Sequence, residues 1–133
     1  MSNPNPFFAV WSPRVLGILR IVTGFLFVQH GSAKLLGVPH QAMFDNLQVF
    51  SLVGAAGILE LVGGALFLIG LCTRPVAFVL SGLMAFAYFI AHAGAAFLPM
   101  LNGGELAVMY CFVFLYFSLA GSGAYGIDSA RAK

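Results

Sequence analysis

The sequence has 133 residues, enough for one domain, with 61% hydrophobic and 8% charged side chains and a net charge of +2. A soluble domain carries about 25% charge, so this chain cannot cover itself for water and its surface must face lipid. The small net charge and the lack of any basic run give no footing for a nucleic-acid partner.

The opening stretch, MSNPNPFFAVWSP, has no basic segment and no small-residue cleavage site, and it holds three prolines. It does not read as a secretory signal, so insertion is expected through the first helix. Phe7, Phe8 and Trp11 read as an interfacial anchor.

Four apolar stretches follow, each near the roughly 20 residues that a bilayer requires. The first runs from about Arg14 to Leu36, with Ser12 and Pro13 as N-cap and first-turn residues. From Gly37 to Phe50 the chain is mixed: Met43, Phe44, Leu47 and Phe50 recur at helical spacing with Asp45, Asn46 and Gln48 between them. This predicts a short amphipathic helix on the membrane surface. The second span runs from about Ser51 to Leu71, and Cys72-Thr73-Arg74 makes a tight hairpin into the third, from about Pro75 to Phe97. A turn at Pro99–Gly104 leads to the fourth and shortest, Glu105 to Ala120, which stops at Gly121-Ser122-Gly123. The predicted fold is therefore all-α: one integral membrane domain over residues 1–133, a four-transmembrane-helix bundle with an interfacial helix between helices one and two.

Arg14, Arg74, Arg131 and Lys133 fall on one side of such a bundle, and Lys34 alone on the other. The positive-inside rule then predicts a multi-pass protein of the cell (inner) membrane with both termini cytoplasmic.

Ionisable groups inside spans cost about 2.5–3.5 kcal/mol each even on the lenient insertion scale, so they point to function or to helix pairing. Here they are Arg20, His30, Lys34, Glu60, His92 and Glu105. At about 100° per residue, Arg20, Thr23, Gly24, Phe27, Gly31 and Lys34 share a stripe on helix one, with His30 at its edge. Glu60 shares a stripe with Gly57, Gly63 and Gly64 on helix two. Ser81, Tyr88 and His92 share one on helix three, and Glu105 with Met109 on helix four. Small residues on such stripes let backbones approach.

Depth sorts these groups. Arg20 and Glu60 are expected about 9 Å apart in depth, close enough for a structural ion pair between helices one and two. His30, Lys34, His92 and Glu105 gather toward the outer end. Histidine changes charge near neutral pH, so two histidines beside a lysine and a glutamate suit proton handling. Each histidine also fits a plain hydrogen-bonded interior residue. A metal is not expected: Lys34 stands one turn from His30, and there is no HxxxH or ExxH spacing. A haem between His30 and His92 is formally open. Cys72 and Cys111 form no CxxC and lie at different depths, so neither a redox dithiol nor a disulfide is expected.

The run from Arg20 through Gly24 to His30-Gly31 and Lys34 carries a resemblance. So do Glu60-Leu61-Val62-Gly63-Gly64 leading to Gly70-Leu71 and Thr73-Arg74, and the turn Asn102-Gly103-Gly104-Glu105. In their order and spacing, over roughly Arg14 to Gly121, they resemble the DoxX family of small four-span membrane proteins. The resemblance implies a link to quinone and thiol stress, since the family takes its name from a subunit of a thiosulfate:quinone oxidoreductase.

With no nucleotide-binding loop and no CxxC, electrons would have to reside on a bound quinone or on a partner. The leading expectation is a membrane subunit of a quinone-linked redox system with no covalent cofactor. His30 and His92 would exchange protons with a quinone-like head, and Lys34, Glu105 and Tyr88 would bind it. Two alternatives stay open: a non-enzymatic membrane scaffold for soluble redox partners, and a small-molecule or proton pathway formed by a homo-oligomer.

Overall fold

The computed structural model describes residues 5–133, so residues 1–4 of the opening stretch lie outside it. All regular elements among the described residues are helical. Helix α1 runs Pro6–Leu36. Asn5 starts it, its side-chain oxygen accepting the Phe7 N–H at 3.0 Å, with Pro6 at the first position where a missing N–H is harmless. The start expected at Ser12-Pro13 is therefore corrected by two turns. Pro13 sits inside the helix and forgoes one backbone bond, and its carbonyl accepts the Ala124 N–H at 2.8 Å. Phe7, Phe8 and Trp11 stand exposed on the first turns of α1, and the Arg14 guanidinium lies 5.2 Å from the centre of the Trp11 ring.

Between Gly37 and Phe50 the structure holds only a 3-10 turn, Ala42–Phe44, in place of the expected interfacial helix. Asp45 and Asn46 follow it, residues that favour turns over helix interiors. The chain continues in tight turns, with Leu47 N–H on Phe44 O and Ser51 N–H on Gln48 O. Ser51 then caps α2 (Leu52–Ile69), its hydroxyl accepting the Gly54 N–H at 3.1 Å. Helix α3 spans Thr73–Ala91 and stops six residues short of the expected Phe97. Both His92 N–H and Ala93 N–H turn back to Tyr88 O there. A single turn, α4 (Pro99–Asn102), leads into α5, which has the expected bounds Glu105–Ala120. A final short helix, α6 (Ile127–Arg131), follows the glycine-rich bend.

Helix α1 packs along α2 and α3 along α5. Small residues set the first contact: a Cβ on Gly24 would lie 2.8 Å from Leu68 Cα, and one on Gly31 would lie 2.7 Å from Leu61 Cα. The two helix pairs meet through an aromatic layer. Phe27, Phe67, Phe114 and Phe117 are essentially fully buried, with Tyr110, Leu80, Met84 and Ala77 beside them. Phe114 meets Phe27 and Phe67 edge-on, with ring centroids 4.9 Å apart in each case, the geometry that ring quadrupoles favour.

Large apolar side chains such as Val22, Phe25, Val62, Phe86, Phe89 and Phe112 point outward. In water such a surface would be unstable; against lipid it is the expected one. Helices α1, α2 and α3 are long and apolar enough to cross a membrane, and α5 is a shorter apolar helix of 16 residues.

Candidate functional site

The polar groups separate into two ends of the bundle, here called the tail end and the loop end. At the tail end Arg20 is fully buried. Its Nη1 donates to Ser122 O and to Ala124 O, the latter at 3.2 Å, its Nη2 to Tyr125 O at 2.9 Å, and its Nε to Leu68 O at 3.4 Å. Glycine makes room for the guanidinium: a Cβ on Gly126 would sit 2.6 Å from Nη1. Tyr125 takes a left-handed backbone (φ 63°) that few L residues adopt, and its carbonyl is one of those that receive Arg20.

Asp128 completes this end. Its carboxylate accepts the N–H groups of Cys72 at 2.9 Å and Thr73 at 2.7 Å, at the start of α3. Its own N–H donates to Gly70 O at 2.9 Å. Burial raises the carboxyl's pKa; the Thr73 and Cys72 donors and the neighbouring Arg131 lower it, and the net shift is downward.

The expected Arg20–Glu60 pair does not form. Gly24 faces Leu68 and Gly31 faces Leu61, so Arg20 lies level with the α2 C-terminus and Glu60 level with Gly31-Ser32. That separates Arg20 and Glu60 by about twelve residues, or roughly 18 Å of helix. Glu60 instead pairs with Lys34 at the loop end, Nζ lying 2.7 Å from both carboxylate oxygens. The side chains are 14% and 4% exposed, and the Phe44 ring lies 5.8 Å from Nζ.

The remaining loop-end residues do not form one cluster. His92 Nδ1 lies 3.1 Å from Asn102 O, and Asn102 Nδ2 donates to Tyr88 OH at 3.1 Å and to Ala96 O at 3.0 Å. Asn102 Oδ1 accepts the Gly104 N–H at 2.8 Å. His92 and Tyr88 thus brace the α3–α5 connection through Asn102. Glu105 opens α5 as an exposed residue. His30 is exposed on the outer surface of α1, and its ring meets Tyr110 edge-on with centroids 6.1 Å apart, next to Phe27 at 6.4 Å. Among the described residues no hydrogen bond or ion pair joins His30, His92 and Glu105 to one another.

Three contributors escape the sequence reading: Asn102, Tyr110 and Asp128. Asn102 stands in the turn Asn102-Gly103-Gly104-Glu105, and its bracing role depends on Tyr88 and Ala96, which only the fold brings to it. Tyr110 looks like packing surface among many aromatics. Asp128 lies beyond the last apolar span, but as an acid beside a helix–helix turn carrying free N–H groups it had a readable signal.

The DoxX family model matches residues 15–93, from α1 to just past the end of α3. The chain is 43% identical over 127 residues to an uncharacterized protein of Haemophilus influenzae, covering 92% of this chain and 95% of that protein. It is 26% identical over 118 residues to a Bacillus subtilis protein named "Putative oxidoreductase CatD", covering 84% of this chain and 82% of that protein. No solved structure matches.

Proposed function

The chain belongs to the DoxX family, and on that premise we propose that it is a membrane subunit of a quinone-linked redox system, acting on a quinone-like molecule at its loop end. It crosses the membrane four times in this reading, α5 included, with both termini cytoplasmic and the loop end facing outward. The observation that carries the proposal is the exposed His30 imidazole beside the buried aromatic layer of Phe27 and Tyr110 at the loop end. The name of the Bacillus subtilis relative supports a redox setting.

The sequence offers no nucleotide-binding loop and no CxxC, so electrons come from a partner redox protein, and the chain's own part is to bind the quinone and move protons. Geometry ranks the candidate residues. Lys34 is neutralised by Glu60, and His92 and Tyr88 are committed to Asn102. Glu105 is exposed at the rim. His30 faces the bilayer, where a lipid-soluble quinone resides, and is the group best placed to exchange a proton with it.

A deletion strain challenged with a toxic benzoquinone tests this. Growth should fall relative to the parent and be restored by the wild-type gene but not by a His30→Ala variant made at equal levels. Equal growth of parent and deletion strain, or full rescue by His30→Ala, contradicts the proposal.

A further inference from the structure

At the loop end His30 and Tyr110 stand as two neighbouring rings with unused polar atoms. Lys34, Glu60, Tyr88, His92 and Asn102 all have partners. The imidazole of His30 and the hydroxyl of Tyr110 make no hydrogen bond among the described residues, and they are neighbours. Tyr110 is only 7% exposed, its ring held by Phe27 at 5.2 Å and by Phe114 at 5.8 Å. His30 lies six residues before the end of α1, about 9 Å inside it. Leu26, one turn before it on α1, is an exposed apolar side chain. The two neighbouring rings therefore offer hydrogen-bonding groups to a partner from outside the chain.

The position says what kind. The seam between α1 and α5 is set by aromatic side chains, and His30 is exposed beside it. The imidazole supplies one donor and one acceptor, and the phenol one donor. A donor on each of two neighbouring rings matches a carbonyl oxygen on a flat ring whose tail would remain among the lipids.

We infer that His30 and Tyr110 form a bilayer-facing binding site at the α1–α5 seam for the carbonyl-bearing head of a lipid-soluble, planar ring compound. This rests on the quinone reading above and deepens it by assigning the site. Tyr110 is a binding residue, and His92 and Glu105 lie outside the site.

Calorimetric titration of the purified protein in lipid nanodiscs with decylubiquinone tests the assignment. Tyr110→Phe, which removes one oxygen and keeps the ring, should raise Kd at least tenfold, and so should His30→Phe. Tyr116→Phe, an exposed tyrosine of the same helix, should bind as wild type. Wild-type affinity in both Tyr110→Phe and His30→Phe overturns the seam site and leaves the quinone reading standing. No binding by the wild-type protein overturns both.

Discussion

The two ends of this bundle use polar groups in opposite ways. At the tail end a buried arginine is met by four carbonyls and a carboxylate caps α3, so these two charges are matched to backbone groups. At the loop end Lys34 pairs with Glu60 and His40 with Asp45, but His30 and Tyr110 stand together with no hydrogen bond among the described residues. Buried polar groups that are satisfied fix a fold. An ionisable group facing lipid is a candidate for function. The tail end is therefore read as structure, and the seam at the loop end as site.

Substitutions should break the two ends differently. The largest effect is expected from Arg20→Leu, which strands several buried carbonyls and frees residues 121–131. A loss on the order of 4 kcal/mol is expected, since each unsatisfied buried group costs about 1–3 kcal/mol. Thermal unfolding in detergent and proteolysis of the C-terminal tail would read it. Lys34→Met leaves Glu60 buried and unpaired and should cost about 3 kcal/mol. The double variant Lys34→Met/Glu60→Leu should recover most of that loss, because apolar residues replace the pair; a double variant as unstable as the single one would deny that the pair is structural.

Asp128→Asn should be milder, about 1 kcal/mol, as for a lost helix cap. Its sign with pH is fixed. The folded carboxyl titrates below its ordinary value of 3.8, so its contribution is present above that value and fades as pH falls through the lowered one. Wild type should lose stability below about pH 4 more steeply than Asp128→Asn, as unfolding curves against pH would report.

Much of the fold is legible in the sequence because lipid leaves few choices. Long apolar runs bounded by Ser51, Gly70 and Gly121 become α1, α2, α3 and α5, and the bounds of α5 are read correctly. The glycine stripe of Gly24 and Gly31 is legible too, since only small residues admit the α2 backbone. What fails is register. Helical phase places Arg20 and Glu60 on facing stripes, but their relative height depends on where α2 begins after the loop. That offset gives Glu60 to Lys34. The loop from Gly37 to Phe50 misleads for a different reason: apolar spacing favours a helix, while Asp45 and Asn46 favour turns. The Tyr110 hydroxyl is invisible to sequence reading because its significance lies in a missing partner.

The thermal stability of Tyr110→Phe, with and without decylubiquinone, tests the contrast between the two ends most directly. Without ligand the variant should melt as wild type does, because the hydroxyl makes no hydrogen bond among the described residues. With ligand the wild type should gain stability through binding to the folded state, and the variant should gain far less. A ligand-free Tyr110→Phe that melts well below wild type, with an undiminished gain on adding the quinone, would contradict the account: the hydroxyl would then belong to the structure, as the groups of the tail end do.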